Sequence, residues 1–491
     1  MSDNRLDGVA AGWHYRLLSI GGTAVLSALT VVVMGHPAIV SVADTIPMLA
    51  RLPHPPEFHN HLLIVGTAVG LILLALGPLF KPQPLRVIDV VAETQRRVLL
   101  AGFGLATIGY FDYSFRMSRM TLVLSMIGLL IILPSWFILI RNQKRKAGNR
   151  AIIVGNDQET IDAIVEQATI QFIGFVSLNQ PYAISNKTVE STTDTAVPYT
   201  DGGVQLEAAE SHDQLEYLGG ISRLSDIIVE HNPDTIVLAF SHADREEFFG
   251  VLNTCYRHGV TAKVHPELGN DVLTRQSPTT GILEDIDLEP WDLQDRLLKR
   301  GFDILFATIG LVFAAPVMFA IAIAIKLDSP GSIIYAQERT ATFGGTFTVY
   351  KFRSMIENAE AETGAVISEE DAGGIDPRVT RVGQFLRRTH LDELPQLWSI
   401  FTGHMSVVGP RPERPEIDRE ITADVTEWKQ RWFVKPGLTG LAQIEDVTGH
   451  DPDQKLRFDT EYIRSQSIWL DIRIVIIQVY KVMNDAFEHG E

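Results

Sequence analysis

The sequence predicts a membrane protein with three parts. These are a four-helix transmembrane bundle over residues 1–148, an α/β Rossmann-like middle domain over 149–280, and a mainly helical C-terminal domain over 291–491. The C-terminal domain is expected to begin with a re-entrant membrane hairpin. Three observations predict this layout: long apolar stretches in the first part, alternating strand and helix patterns in the second, and an uneven division of charge.

The formal net charge of −18 is concentrated in the middle of the chain. Residues 1–150 carry a net +7, residues 151–290 carry −17 and residues 291–491 carry −8. No soluble region has the basic surplus that a phosphate backbone demands, so a nucleic-acid-binding protein is excluded. The single cysteine, Cys255, excludes an intramolecular disulfide framework and is predicted to be a small buried hydrophobe.

Four apolar stretches predict the membrane spans, at 15–34, 61–80, 98–111 and 120–140. About 20 apolar residues cross the hydrocarbon core, so the third stretch is the weakest of the four. With a cytoplasmic N-terminus, eleven Lys and Arg residues flank the spans inside and three outside, as the positive-inside rule requires. The chain is therefore expected to be a multi-pass protein of the cell membrane, with its middle and C-terminal domains in the cytoplasm. No span holds a pair of ionisable residues, which favours anchors over a transport path.

The middle domain is predicted from alternating strands and helices, with strands at 151–155, 172–177, 234–240 and 260–264 and helices at 158–167, 221–231 and 245–258. This alternation is typical of a parallel, doubly wound sheet, and the polar segment 180–212 is predicted to be an exposed loop. The first turn has one glycine, Gly155, and Asp157 and Glu159 would repel a phosphate. Interaction or regulation is therefore favoured over dinucleotide binding.

The acidic surplus of the middle domain has three interpretations. It is a solvated surface without a specific role, a contact for a cationic partner, or an adaptation to high salt. The halophilic interpretation is favoured, because the excess is spread along the whole domain.

The apolar run 302–325 follows Arg296, Lys299 and Arg300 and is interrupted by Pro316. Proline removes a backbone donor and kinks a helix, and both flanks of the run are basic. A re-entrant helix over 296–327, broken at Pro316, would enter and leave the same face of the membrane. A fifth ordinary span is the alternative, but it would place the rest of the chain outside.

Five segments dense in Arg, Lys, Gly and Pro follow, at 349–355, 376–381, 385–397, 405–412 and 434–441. They surround one adjacent carboxylate pair, Asp392 and Glu393. Arginine forks and glycine turns suit phosphates, and an Asp amid such cations is expected to have a low pKa and stay ionised. An ionised Asp can attack phosphorus to form an acyl phosphate, and a divalent ion would neutralise the diphosphate. For an isolated Asp-Glu pair, a helix N-terminal charge would be the simpler interpretation.

In this order the motifs resemble the bacterial sugar transferase family, the monotopic polyprenyl-phosphate phosphoglycosyltransferases. The most specific pieces are Leu-Asp-Glu-Leu-Pro-Gln at 391–396, Gly-Pro-Arg-Pro at 409–412 and Lys-Pro-Gly-Leu-Thr-Gly at 435–440. The whole layout is similar to the long form of the family. The resemblance implies transfer of a sugar 1-phosphate from a UDP-sugar to a polyprenyl phosphate, undecaprenyl or dolichyl, with release of UMP. This would be the first membrane step of exopolysaccharide or glycan assembly.

The resemblance also implies roles for single residues. Asp392 matches the nucleophile that forms a covalent phospho-sugar intermediate, Glu393 matches its partner, and Mg²⁺ is the implied cofactor with Asp392 as its protein ligand. The positions that match phosphate or substrate binding are Lys351, Arg353, Arg387, Arg411 and Pro412. Pro316 matches the helix-breaking proline of the hairpin. Ala315 and His390 stand where the family often has Ser, which puts the fine geometry in doubt and not the reaction. The long form also implies a homodimer.

Two other function classes fit less well. A membrane-tethered nucleotide-sugar dehydratase or epimerase needs a glycine-rich loop and a Tyr with Lys four residues later, and none of the 11 tyrosines has that Lys. A catalytically silent membrane scaffold for glycan-assembly enzymes would not need the Asp392–Glu393 dyad or the basic motifs, all of which are intact.

Overall fold

The computed structural model describes most of the chain. The described residues are 3–43, 45–46, 61–81, 86–111, 117–142, 150–168, 170–178, 215–275, 283–356, 378–447 and 451–488. The loop predicted at 180–212 and the first two residues of the 376–381 motif lie outside them.

The N-terminal part is mainly helical in its described residues. Its helices are α1 Asp3–Met34, α2 Pro37–Ala43, α3 His61–Leu76, α4 Val87–Phe111 and α5 Arg119–Asn142, with a 3₁₀ turn at Gly77–Phe80. Helices α1, α3, α4 and α5 pack against one another in the predicted four-helix arrangement. Ile72, Leu133 and Phe137 are buried in its core. The Tyr15 hydroxyl donates to the Leu79 carbonyl at 3.0 Å, which ties α1 to the 3₁₀ turn that follows α3.

Four helical stretches of the described chain are long and apolar enough to cross a membrane. They are His14–Met34, Leu62–Phe80, Arg119–Arg141 and Leu293–Asp328. The first three coincide with the first, second and fourth predicted spans. The predicted third span, 98–111, lies within α4 but is not among the four, because Glu93, Arg96 and Arg97 precede a short apolar segment. The remaining stretch is the predicted hairpin region of the C-terminal domain.

The middle of the chain contains a mixed seven-stranded sheet of order β3-β2-β1-β4-β5-β7-β6. Its strands are β1 Arg150–Gly155, β2 Gln171–Val176, β3 Tyr217–Gly219, β4 Thr235–Ala239, β5 Thr261–Val264, β6 Thr274–Arg275 and β7 Glu284–Ile286. The helices are α6 Gln158–Gln167, α7 Leu224–His231 and α8 Phe248–His258, with 3₁₀ turns at Ile221–Arg223 and Pro266–Asp271. Cys255, on α8, is buried as predicted.

The sheet departs from the prediction at its edges. Strand β7 pairs antiparallel with β5 and with β6, so the sheet is not wholly parallel and does not close at 260–264. Strand β7 also lies beyond the boundary predicted at 280. These strands are too short, with two and three residues, to give a periodic signal in the sequence.

In the first strand-to-helix turn, the backbone amides are already hydrogen-bonded within the domain. The amides of Asn156 and Asp157 donate to the Ala239 carbonyl at 3.1 and 3.2 Å, and a Cβ on Gly155 would lie 1.7 Å from that oxygen. The Asp157 carboxylate accepts from the Glu159 amide at 3.2 Å and caps α6. The lone glycine therefore serves close packing of β1 against β4.

The C-terminal domain is mainly helical, as predicted. Its helices are α9 Leu293–Asp328, α10 Arg381–Arg388, α11 Gln396–Thr402, α12 Pro415–Asp424, α13 Leu441–Ile444, α14 Pro452–Ser465 and α15 Ile468–Glu488. Its strands are β8 Ile334–Thr340, β9 Thr346–Phe352, β10 Ser406–Val408 and β11 Gly437–Thr439. Strands β8 and β9 form an antiparallel hairpin, and β10 and β11 pair in parallel. The buried core includes Leu397, Ile400, Val408, Tyr462 and Ile474.

Helix α9 is a single helix of 36 residues with Pro316 in its interior. Near its start, the Lys299 ammonium donates to Asp471 at 2.8 Å, to the Tyr462 hydroxyl at 2.9 Å and to the Val408 carbonyl at 2.9 Å. One turn later, the Asp303 carboxylate accepts from the Ser406 hydroxyl at 2.9 Å. These buried contacts fix the first turns of α9 against β10. The re-entrant course of the helix stays a prediction.

Candidate active site

Asp392 and Glu393 lie in the 3₁₀ turn Leu391–Glu393, between α10 and α11. His390 takes the left-handed conformation, with φ of 54°, and so reverses the chain after α10. A non-glycine residue in this conformation is strained, and the surrounding structure must hold it. Leu394 packs into the apolar clusters on both sides of the turn. The dyad is thus presented by a tightly held turn, and Asp392 itself is buried, with 8% exposure.

Glu393 receives two cations on one carboxylate oxygen. Its Oε1 accepts from Lys351 Nζ at 2.7 Å and from Arg411 Nη2 at 2.9 Å. Lys351 comes from β9 and Arg411 from the loop after β10, so three separate sequence motifs converge here. Burial raises the pKa of Glu393, but Arg411 and Lys351 outweigh burial and hold it well below its ordinary value.

Asp392 has the opposite electrostatic balance. Burial raises its pKa, Lys351 lowers it, Glu393 raises it, and His390 and Arg387 lower it, with a net rise above the ordinary value. The prediction of a low pKa for Asp392 is therefore wrong. The cations around it are largely neutralised by Glu393, and burial then dominates. No donor among the described residues hydrogen-bonds the Asp392 carboxylate.

The other predicted residues differ in where they lie. Arg387 donates from Nε to the Ser354 hydroxyl at 3.0 Å and is near enough to Asp392 to lower its pKa. Arg353 donates instead to the carbonyls of Ser329 and Pro330, each at 2.8 Å, and closes the C-terminal end of α9. The structure therefore brings Lys351, Arg387 and Arg411 to the dyad and places Arg353 at the adjacent helix end.

Three donors that the sequence did not single out hold the loop 411–413. Arg431 Nη2 donates to the Arg411 carbonyl at 2.8 Å, Arg339 Nη1 donates to the Pro412 carbonyl at 3.1 Å, and the Thr340 amide donates to the Glu413 carbonyl at 2.9 Å. Each carbonyl of the loop therefore has one dedicated donor. Pro412 contributes its backbone carbonyl to this arrangement. Their sequence signal was weak, because single charges among apolar residues are common on any surface.

Two buried ion pairs lie behind this loop. Lys455 Nζ pairs with Glu413, and Arg431 Nε pairs with Asp459 at 2.7 Å. Burial raises the pKa of Glu413, but Lys455 and Arg431 outweigh burial and bring it to about 2. The loop that carries Arg411 therefore depends on an ionised Glu413.

The Lys455–Glu413 ion pair predicts that the protein loses stability in acid. Folding depresses the pKa of Glu413 from 4.5 to about 2. The ionised carboxylate therefore adds fully to the free energy of unfolding above pH 4.5, and this contribution is lost as the pH falls from 4.5 to about 2. The contribution is up to about 3 kcal/mol. Unfolding midpoints of purified protein between pH 2 and 7 should fall in acid for the wild type and less steeply for Glu413→Gln. Glu420→Gln, at an exposed site on α12, is the matched control. Equal acid slopes for the wild type and Glu413→Gln would contradict the prediction.

The carboxylates of the dyad suit a metal ion that has few protein ligands. Among the described residues, no group of three or more His, Cys, Asp or Glu side chains lies together. Lys351 and Arg411 already neutralise Glu393, which leaves Asp392 as the dyad carboxylate that no cation among the described residues hydrogen-bonds. Mg²⁺ commonly takes one or two carboxylates, with the rest of its coordination from water and substrate phosphates. A site with one protein carboxylate beside a diphosphate therefore fits Mg²⁺.

Comparison with known proteins gives a family match within the C-terminal domain and several relatives that match parts of the chain. A family model described as bacterial sugar transferase matches residues 294–485. A UDP-glucose:undecaprenyl-phosphate glucose-1-phosphate transferase of Escherichia coli (strain K12) is 44% identical over 38% of this chain and 40% of its own. A protein of the same name from Xanthomonas campestris pv. campestris is 32% identical over 57% of this chain and 59% of its own.

A third relative is matched over most of its length. The exopolysaccharide production protein PSS of Rhizobium leguminosarum bv. phaseoli is 40% identical over 37% of this chain and 92% of its own. The first two relatives, by contrast, are spanned for only 40% and 59% of their lengths. For all three relatives, the family assignment rests on sequence identity and does not depend on the geometry of Asp392 and Glu393.

Proposed function

This chain belongs to the bacterial sugar transferase family, and on that basis we propose that it transfers a sugar 1-phosphate from a UDP-sugar to a polyprenyl phosphate. UMP is the second product. The observation that carries the proposal is the convergence of Lys351 and Arg411 on Glu393, beside a buried Asp392 whose own carboxylate is left unbonded by the described residues. The relatives' names, which include undecaprenyl phosphate and exopolysaccharide production, support the lipid acceptor and the role in polysaccharide assembly.

The proposed reaction has two steps at one phosphorus atom. In the first, an Asp392 oxygen attacks the phosphorus that bears the sugar, the phosphoanhydride bond breaks and UMP leaves. In the second, an oxygen of the polyprenyl phosphate attacks the same phosphorus, which releases Asp392 and forms a polyprenyl diphosphate sugar. Lys351, Arg387 and Arg411 lie where they can stabilise the phosphate charge. Glu393 keeps Lys351 and Arg411 in place. Mg²⁺, held by Asp392, would supply charge neutralisation of the diphosphate when bound.

The raised pKa of Asp392 is compatible with this role. The nucleophile must be ionised when it attacks, and Lys351, His390 and Arg387 favour that form. A buried carboxylate is also poorly solvated, which makes it a better nucleophile than one exposed to water.

The direct test is release of UMP by purified full-length protein in lipid. UDP-glucose, UDP-galactose and the UDP-N-acetylhexosamines should each be supplied with undecaprenyl phosphate or dolichyl phosphate. We expect UMP release with at least one pair, and the pair identifies the sugar and the carrier. A catalytically silent scaffold would release no UMP with any pair.

The re-entrant course of α9 is part of the proposal, with both ends on the cytoplasmic side. Near the N-terminal end, Asp303 bonds Ser406, and near the C-terminal end Ile325 packs against Phe352 and Leu386. Both ends thus contact the same folded domain. The turns between them expose large apolar side chains, such as Phe313 with 76% exposure. An apolar tip between two ends on one domain supports a hairpin that dips into the membrane and returns.

Topology mapping tests the course of α9. A protease site or cysteine placed at residue 330 should be protected in intact cells and become accessible after the membrane is opened. The same label in the middle domain serves as the cytoplasmic control. Accessibility at residue 330 from outside intact cells would establish a crossing helix instead.

Three further features belong to the proposal. A Rossmann-like middle domain is supported by the strand order β3-β2-β1-β4-β5.

A homodimer predicts twice the protomer mass by light scattering in detergent. Adaptation to high salt predicts that the protein is more stable in molar salt than in dilute buffer, because the middle of the chain carries a net −17.

A further inference from the structure

Arg245, in the turn before α8, binds a distant turn of the C-terminal domain. Residues 237–253 form one compact unit with residues 261–491. Arg245 donates from Nε to the Gly344 carbonyl and from Nη2 to the Thr340 hydroxyl and the Gly345 carbonyl, both at 3.3 Å. Its guanidinium also lies 5.6 Å from the centre of the Trp432 ring. The Arg245 side chain thus closes over the hairpin turn that joins β8 to β9.

The position of Arg245 is itself fixed. The Asp244 carboxylate accepts from the amides of Glu246, Glu247 and Phe248 at 3.1, 2.8 and 3.0 Å, which caps the start of α8. A capped helix start is rigid, so Arg245 is delivered in one backbone geometry.

The bound turn is strained and shaped for this contact. Phe343 and Gly344 both have positive φ, of 51° and 68°, and Phe343 is buried. A Cβ on Gly344 would lie 3.0 Å from Arg245 Cγ and 3.2 Å from the Trp432 ring. Phe343 also packs edge-on against Phe433, with ring centres 5.4 Å apart. A strained non-glycine residue persists only where its surroundings over-determine it, and Arg245 is one of those surroundings.

The turn is connected to both cations of the dyad through the backbone. Thr340 receives the Arg245 contact on its hydroxyl, and its amide donates to the Glu413 carbonyl at 2.9 Å. Glu413 ends the loop that presents Arg411 to Glu393. The same hairpin carries Lys351 on β9. The elements that Arg245 binds are therefore those that place Lys351 and Arg411.

A second set of contacts involves the segment Thr426–Phe433, which also holds the loop 411–413. Lys429 pairs with Asp271 at 2.7 Å, and Gln430 donates to the Asn270 carbonyl at 2.9 Å. Phe249, on α8, packs edge-on against Trp432 at 4.9 Å. Lys429, Gln430 and Trp432 belong to the segment Thr426–Phe433, whose Arg431 donates to the Arg411 carbonyl.

We infer that Arg245 is a positioning residue of the active site: it closes over the turn 340–345 and, through Thr340, fixes the loop 411–413 that presents Arg411 to Glu393. The segment around α8 thereby has a role in catalysis although it contributes no group to the dyad. Only the predicted effect on transfer rests on the proposed function; the structural coupling does not.

Hydrogen exchange of the full-length protein tests the coupling without any assay of activity. In Arg245→Met, which keeps the length of the side chain and removes its donors, backbone amides in 340–345 and in 408–414 should exchange about tenfold faster. Gly344→Ala should speed exchange in the same two segments, because its Cβ would lie 3.0 Å from Arg245 Cγ and disturb the contact. Arg257→Met, at an exposed site on α8, is the matched control and should leave both segments unchanged.

Two exchange results would overturn the inference. One is faster exchange confined to 340–345, because the contact would then be local. The other is an equal effect of Arg257→Met, because the change would then report general loosening of α8.

Transfer kinetics give the second readout. UMP release by Arg245→Met should be about tenfold slower, and Arg245→Lys should recover part of the rate because it keeps the charge and one donor. Wild-type kinetics in Arg245→Met would overturn the positioning role. If the wild type releases no UMP with any substrate pair, the proposed function fails, whereas the exchange result still decides the coupling.

Discussion

Asp392→Asn is expected to abolish transfer, with a fall in kcat of at least about 10³-fold. Asn has the shape of Asp but no negative charge, so it cannot attack phosphorus. The contacts of Glu393 with Lys351 and Arg411 do not involve Asp392 and should persist. Since burial raises the pKa of Asp392, the folded state does not favour its charge, and the variant should be at least as stable as the wild type. Loss of activity with an unchanged unfolding midpoint would therefore locate the effect in the chemistry.

The control for this substitution is Asp424→Asn. Asp424 lies at the end of α12 and is exposed, so the same isosteric change should leave UMP release unaltered. Transfer by Asp392→Asn at more than about a tenth of the wild-type rate would contradict the role of Asp392 as nucleophile. A sequential kinetic pattern in the wild type, in place of ping-pong kinetics, would point to Asp392 as a base.

Lys299→Met is expected to destabilise the C-terminal domain by about 3–5 kcal/mol. Lys299 and Asp471 are 5% and 0% exposed and form an ion pair at 2.8 Å. Removal of the ammonium leaves the Asp471 charge buried, where the remaining side-chain donors among the described residues are the Tyr462 hydroxyl at 2.8 Å and Gln466 at 3.4 Å. It also removes the donor that ties α9 to the Val408 carbonyl, just before the loop of Arg411. Denaturant unfolding in detergent measures the loss.

Two further variants isolate the buried charge as the cause. Lys326→Met removes an exposed ammonium from the same helix and should cost no more than about 0.5 kcal/mol. The double variant Lys299→Met with Asp471→Asn removes both charges and should recover at least about 1 kcal/mol relative to Lys299→Met alone. If the double variant is as unstable as the sum of the single variants, the two side chains are not coupled.

The parts of the fold with a periodic signal were predictable from the sequence. Helix α6 was predicted at its observed bounds, 158–167, because its apolar positions repeat at helical spacing and an Asp precedes it. Three of the four predicted spans coincide with long apolar helices for the same reason, since length and hydropathy are local properties. Strands β3, β6 and β7 were missed, because strands of two or three residues are specified by the neighbours they pair with.

The candidate site was predictable as a set of residues and not as an arrangement. Lys351 and Arg411 do meet Glu393, whereas Arg353, two residues from Lys351, is taken by the carbonyls of Ser329 and Pro330. The end of a helix attracts a guanidinium only once the tertiary structure brings the two together. The direction of the Asp392 pKa shift was also beyond sequence reasoning, because burial, the dominant cause, is a property of the folded chain.

The most direct test of the central claim is intact-protein mass spectrometry of the wild type incubated with its UDP-sugar and no lipid acceptor. We expect a mass increase of one sugar phosphate, one UMP released per protein, and peptide mapping that places the adduct on Asp392. Addition of polyprenyl phosphate should then remove the adduct. UMP release that requires the lipid, with no adduct in its absence, would contradict the covalent mechanism.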